Sequence, residues 1–262
     1  MSRHEAKTSD RGPGAATIPE AAVGAHSEPA RRPYDPAEEQ AIAAGFPALV
    51  GRHRAWLSAS GLHDRPWFIL GSAPDPHVPE PFPSDTAHIH VKYAGHSARQ
   101  HGLPAGDLTF LLTKTRPTHV AGLQLDRILR LRRRHTLLTR LARDLPALRA
   151  RECALTHRDR DAFIIGTLGS LFGGSGKEIR PSNGIALIAY AIAVGIPQII
   201  VAGISLQSDG HAYDRSARVR RHREEDRAAL EVVAARYPQV VTTEPGLSDV
   251  TGIPRLASIP AA

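Results

Sequence analysis

Three short stretches of this 262-residue chain hold residue types and spacings that can do chemistry. The first is Arg180-Pro181-Ser182-Asn183-Gly184, a small polar turn directly ahead of an apolar run. Ser182 or Asn183 at the start of a buried helix leaves backbone N–H groups facing outward, together with the positive end of the helix dipole. With the Arg180 cation beside them they suit a phosphate or a carboxylate, although plain N-capping would need only one of the three. The second stretch is Gly71-Ser72-Ala73-Pro74-Asp75, just after the apolar Phe68-Ile69-Leu70. Gly71 and Ala73 let a ligand approach the backbone, and Ser72 or Asp75 can cap the next element; a simple connecting turn has the same make-up. The third is His222 in "VRRHREEDRAALEVV". On a helix His222 and Asp226 stand one turn apart, on a face shared with Val219 and Val233. A carboxylate on one ring nitrogen would fix the tautomer and raise the basicity of the other, as a general base requires. The alternative is a surface histidine, one of fourteen in the chain.

Other candidates are weaker. "GGSGKE" (173–178) suggests a phosphate loop, but Leu171 and Glu178 occupy positions where that motif needs Gly and Ser or Thr. A flexible glycine loop bordering a site, or a plain surface loop, is the reading it supports. His88 and His90 alternate on an expected strand and point to one face; with no third ligand at sensible spacing, no metal site is expected. Cys153 lacks a nearby His motif and reads as a small buried residue.

The elements that would position these residues alternate along the chain. Residues 1–36 are rich in Pro, Gly, Ala and Ser without periodicity and read as a disordered tail, leaving 37–262 as one domain. Asp35-Pro36-Ala37-Glu38 starts a helix reaching about Ser60. Residues 66–74, 87–95, 106–114 and 161–169 read as strands, 183–195 as a helix, and Gln198–Ala202 as a fifth strand. A charged helix over about 215–237 precedes a last short strand at 239–245. Short apolar strands alternating with helices predict an α/β fold: a Rossmann-like, mostly parallel sheet with helices on both faces. Ligands then sit at the carboxyl ends of the strands, where the strand order reverses. The apolar run from 184 to 203 is interrupted by Gly195, Pro197 and Gln198, so helix then strand is expected rather than a membrane span.

Composition supports this. Apolar residues make up 42% and aromatics only 5%, the make-up of an Ala, Leu, Ile and Val core. The single cysteine excludes an internal disulfide framework and fits a reducing compartment. With no secretory pattern before residue 40, the expected address is the cytoplasm. The net charge of +7 is local: residues 127–151 hold nine arginines against one acid, Asp144. Leu125, Ile128, Leu129, Leu138 and Leu141 recur there at helical spacing, so a solvated amphipathic helix is expected. The sharper reading of Arg127–Arg151 is a face for an anionic partner, peripheral to the inner membrane or on a glycan. Nucleic acid is not expected, because no aromatic interleaving or nucleic-acid motif accompanies the arginines. Homo-oligomerisation is left open.

The order of these features resembles the family 42 bacterial sialyltransferases. The resemblance rests on "GSAP" after the first strand, "RPSNG" into an Ala/Ile helix, "GISLQSDGHAYD", the His-bearing "HREEDRAALEVV" and "EPGLSDVTGIP". It is clearest over about 177–253 and weaker over 66–114. It implies a Rossmann-like variant of the GT-A architecture with a small lid or insertion, at 115–160 or 205–222, and a metal-independent glycosyltransferase with no cofactor. The donor would be a nucleotide-sugar, CMP carrying an acidic sugar, and the acceptor a glycan hydroxyl. Carried over, Gly71, Ser72, Ala73, Pro74 and Asp75 form the first donor turn, and Ser182, Asn183 and Gly184 hold the nucleotide beside Arg180. Tyr213 reaches the phosphate, and His222 is the general base with Asp226 orienting it. Gln207 stands where a first phosphate-binding tyrosine is expected, and Lys92 where an asparagine comes after the second strand. Two other readings remain: a relative of this fold that binds a nucleotide or nucleotide-sugar without transfer, and a pterin diphosphokinase-like enzyme. The latter needs carboxylates for Mg²⁺, of which Asp75 is the well-placed one.

Overall fold

The computed structural model describes residues 33–79, 82–83, 85–112, 115, 117–132, 151–207 and 221–256. Helix α1 (Pro36–Ala59) begins with the expected cap: the Asp35 side chain accepts from the Glu38 N–H and the Glu38 side chain returns to Asp35 N–H. Strand β1 (Trp67–Leu70) is followed by β2 (Ala87–Val91), α2 (Ala94–Gln100), β3 (Gly106–Leu112), α3 (Pro117–Val120), β4 (Leu125–Arg132) and β5 (Glu152–Thr156). Then come α4 (His157–Leu168), α5 (Asn183–Val194), β6 (Ile199–Ala202), α6 (Arg223–Arg236), β7 (Val240–Thr242) and α7 (Pro245–Thr251).

The seven strands form one sheet in the order β5-β4-β3-β2-β1-β6-β7, and every pairing is parallel. This is the α/β fold expected. The chain runs outward from β1 to β5, then returns to lay β6 against the other side of β1, so the order reverses between β1 and β6. The four residues of β1 and of β6 are all buried, as central parallel strands covered on both faces must be. One face packs Trp67, Ile69 and Ile89 against α1, α4 and α5; the other packs Phe68, Leu70, Ile200 and Ala202 against Ala94 and Ala98 of α2. No helix among the described residues is long and apolar enough to cross a membrane.

Several sequence expectations are corrected. Residues 161–169 form no strand: they lie mostly in α4, which starts at a Thr156/Asp159 capping box and stops at Gly169 with φ +88°. The arginine-rich segment begins as a strand rather than a helix. In β4 Leu129 and Leu131 are buried in the core, while Arg130 and Arg132 both pair with Glu152 of β5. The remainder of the expected basic helix, 133–150, lies outside the described residues. Within 115–160, β4 and β5 are strands of the sheet, and 133–150 lies outside the described residues; of the other lid segment, 208–220 lies outside them as well. The tail expectation falls on 1–32, also outside them, but its last residues are ordered into the domain through Tyr34 and Pro36.

Candidate active site at the β1/β6 switch

The carboxyl ends of β1 and β6 meet backbone to backbone. Gly71 N–H donates to the Ala202 carbonyl and Ala73 N–H to the Gly203 carbonyl, both at 2.8 Å. A Cβ on Gly71 would stand 2.2 Å from the Gly203 oxygen, so only glycine fits. Gly203 itself has φ +63°. Its N–H donates to Glu244 Oε1 at 2.7 Å, and the same carboxylate receives His77 N–H at 3.1 Å and faces His77 Nδ1 at 2.9 Å. Glu244 therefore ties together the turns after β1, β6 and β7. In the first turn Ala73 is buried, Ser72 and Pro74 are half-buried, and Asp75 is exposed with a left-handed φ of +49°. Lys92, at the end of β2, also holds a positive φ (+55°), a conformation that asparagine adopts more readily than lysine.

The polar turn ahead of α5 is braced from two sides. From α4, buried Asp161 holds two guanidinium groups: Arg160 Nη1 at 2.8 Å and Arg180 Nη1. Arg160 also donates to Asn183 Oδ1 at 3.0 Å and to the Pro181 carbonyl. Tyr34 donates to Asp161 Oδ2 at 3.0 Å; burial first, then the Asp161 charge, pushes the phenol up to about 12. The Arg180 guanidinium, expected beside a ligand anion, is thus drawn inward because a fully buried carboxylate needs cations around it. Asn183 likewise spends its side-chain oxygen on Arg160.

From the other side, three residues at the start of α6 reach the connector 178–182. Glu178 N–H donates to Glu225 Oε1 at 2.7 Å, and Ser182 N–H donates to Asp226 Oδ1 at 2.6 Å. Between them, His222 Nδ1 lies 2.8 Å from the Arg180 carbonyl. A carbonyl can only accept, so Nδ1 carries a proton; in the neutral tautomer this leaves the lone pair on Nε2. His222 is half-buried and caps α6 rather than standing within it. The expected His222–Asp226 pairing on a helix face is corrected accordingly: the Arg180 carbonyl orients the ring, and Asp226 holds the Ser182 turn. Ser182 is the N-cap of α5, and its side chain makes no capping bond. The opening N–H groups of α5, with Gly184 among them, thus receive no bond from the Ser182 side chain.

The glycine loop 173–178 is docked on the same helix end. A Cβ on Gly176 would come within 2.8 Å of Glu225 Oε1. A buried carboxylate at that spot opposes a phosphate, in agreement with the failed motif. Gln207 is exposed, with its amide oxygen 3.0 Å from where a Cβ on Gly246 would stand. Tyr213 lies outside the described residues. Among the described residues no group of three or more His, Cys, Asp or Glu side chains could hold a metal ion. Half-buried Cys153 lies 3.4 Å from His53 Nδ1, which is 3.3 Å from the Tyr190 hydroxyl; burial raises that phenol well above its ordinary value.

Sequence reasoning missed Arg160, Asp161, Tyr34, Glu225 and Glu244. The Thr-x-x-Asp box at 156–159 was the signal that could have turned 157–168 into a helix and brought Arg160 and Asp161 to the turn.

An all-parallel seven-stranded sheet whose strand order reverses between β1 and β6 defines an α/β protein of the doubly wound type. Among solved structures it is similar to the monofunctional alpha-2,3-sialyltransferase Cst-I from Campylobacter jejuni, at 12% identity over 76% of this chain and 82% of that chain, with a TM-score of 0.54. It is also similar to the sialyltransferase CST-II in complex with a trisaccharide acceptor and CMP, at 15% identity over 76% and 88%, with a TM-score of 0.53. No protein-family model and no curated protein sequence matches the chain. The likeness is therefore one of fold.

Proposed function

We propose that the chain is a sialyltransferase-like glycosyltransferase that moves an acidic sugar from a CMP-linked donor to a glycan hydroxyl without a metal ion. The observation that carries this reading is His222. Its ring is tethered through Nδ1 to the Arg180 carbonyl, beside the uncapped start of α5, in a fold similar to a sialyltransferase solved with CMP and an acceptor. In the reaction Nε2 of His222 takes the proton of the acceptor hydroxyl. The hydroxyl oxygen forms the new bond to the anomeric carbon as that carbon's bond to the phosphate oxygen breaks, and the electron pair leaves with CMP. The opening N–H groups of α5 stabilise the departing phosphate. Tyr213, Lys92 and Gln207 are assigned to the same nucleotide by the family resemblance, and Gly71 to Asp75 form the wall against which the donor lies.

The test is a CMP titration with transfer and hydrolysis assays on CMP-sialic acid, in the wild type and in His222→Ala. The substitution is expected to lower kcat by about 10²- to 10⁴-fold while CMP affinity stays within about twofold. Turnover that survives it overturns the base assignment, and absent CMP binding overturns the donor. CMP binding without turnover in the wild type leaves a binding protein, and Mg-dependent ATP binding in its place supports the diphosphokinase-like reading.

A further inference from the structure

Away from the β1/β6 switch, the described residues line a partly open cavity of about 190 Å³ on the α2 side of β2 and β3. Its rim is apolar, with Leu103, Pro104, Leu123 and Leu125. His90 and Thr109, neighbours across β2 and β3 and only 3% and 2% exposed, line its polar side. His90 Nε2 and Thr109 Oγ1 are buried without a hydrogen-bond partner, as are His88 Nδ1 on the same strand face and Ser97 Oγ on α2. Such atoms cost about 1–3 kcal/mol each when nothing pairs with them, so the two that belong to the lining, His90 Nε2 and Thr109 Oγ1, point to a group that does. Two glycines shape the wall: a Cβ on Gly106 would stand 2.8 Å from His90 Nδ1, and one on Gly95 3.3 Å. The backbone is thus bare where the imidazole reaches across. Arg99 is the one charged residue of the lining; its Nη1 donates to the Gly122 carbonyl at 3.3 Å, and the residue is exposed.

We propose that this cavity is a binding site for a small monocarboxylate with an apolar body, separate from the β1/β6 switch and independent of the reaction assigned there. The carboxylate meets Arg99 in a charge-assisted contact, the apolar body lies among the leucines and Pro104, and Thr109 and His90 supply hydrogen bonds at the polar side. The volume suits such a ligand: at ~30 Å³ for each water of the liquid it equals about six waters. Burial holds the His90 ring neutral, with its pKa lowered to about 4, so the ring offers one donor and one acceptor and no competing charge.

The experiment titrates the full chain with benzoate and with benzamide, its neutral counterpart, following amide and imidazole signals by NMR. Benzoate is expected to shift Gly95, Gly106 and the His90 ring saturably, and benzamide to bind about tenfold more weakly or less. Arg99→Gln, at an exposed position, is expected to weaken benzoate about tenfold and leave benzamide unchanged. Thr109→Val, close to isosteric, is expected to weaken both. Excess CMP is expected to leave the benzoate signals in place. Absent saturation, benzamide as tight as benzoate, an unaffected Arg99→Gln variant, or displacement by CMP each overturns the proposal.

Discussion

The sharpest quantitative consequence of the fold concerns His90. Its pKa falls from 6.5 to about 4, first through burial, then through the nearby His88 charge, while Asp107 pulls weakly the other way. Above the unfolded value of 6.5 the ring is neutral in both states and contributes nothing to pH dependence. As pH falls from 6.5 toward 4 the unfolded chain takes up a proton that the folded chain refuses, so stability is lost in that window. With folded and unfolded values about 2.5 apart, at about 1.4 kcal/mol for each pH unit, the loss levels off near 3 kcal/mol below pH 4 and amounts to about 2 kcal/mol at pH 5. His88 is shifted in the same direction, also by burial, and adds to the loss. The assay is urea unfolding at pH 7 and pH 5 for the wild type and His90→Gln. Groups distant from His90 titrate alike in both proteins, so the difference between the two pH effects reports His90 together with its coupling to His88. A wild-type excess loss of about 2 kcal/mol is expected. A difference below about 0.5 kcal/mol, or a His90 ring that titrates near 6.5 by NMR in the wild type, refutes the buried-neutral assignment.

Three other contacts carry outcomes of their own. Gly71→Ala drives a Cβ into the Gly203 carbonyl and is expected to cost about 3 kcal/mol in urea unfolding, whereas Gly45→Ala, in open space on α1, is expected to gain about 0.5–1 kcal/mol. Asp161→Asn removes the charge shared by Arg160 and Arg180 and is expected to cost about 3–5 kcal/mol by the same measurement, with the Tyr34 phenol falling from about 12 in a spectrophotometric titration. Asp226→Ala leaves the Ser182 N–H without its carboxylate and is expected to cost about 1–3 kcal/mol, with faster amide exchange at Ser182.

Much of the site's address could be read from residue types, because the turns at a strand-order reversal have narrow steric needs. Gly71 was legible as a position needing bare backbone, although the reading gave that space to a ligand and the structure gives it to the Gly203 backbone; Ser182 to Gly184 was legible as a helix start. Side-chain direction was not. Arg180 next to an open helix end reads as an anion ligand until Asp161 is brought beneath it, and Asp161 lies in a segment whose pattern also suits a strand. "AFII" in 162–165 is a four-residue apolar run, which fits a buried strand or a buried helix equally; only the capping box decides. "LDRILRLR" posed the opposite problem, since its leucines satisfy both a helical spacing and, at 129 and 131, a strand alternation. His222 and Asp226 at i, i+4 presupposed that the helix contained both, and a helix beginning one residue later sends the two side chains to different partners.

The later start of α6 also shapes the chemistry of the site. Glu225, His222 and Asp226 hold residues 178, 180 and 182 of one short connector, and this connector becomes the first turn of α5. The atom that orients the imidazole and the opening N–H groups of α5 are therefore parts of a single backbone path, fixed from below by Arg160 and Asp161. A perturbation at either brace moves the ring and the helix start together. Substitutions at Asp161, Glu225 and Asp226 should thus alter ligand affinity and turnover in parallel, while His222→Ala alters turnover alone; the connector makes them separable in one set of CMP titrations.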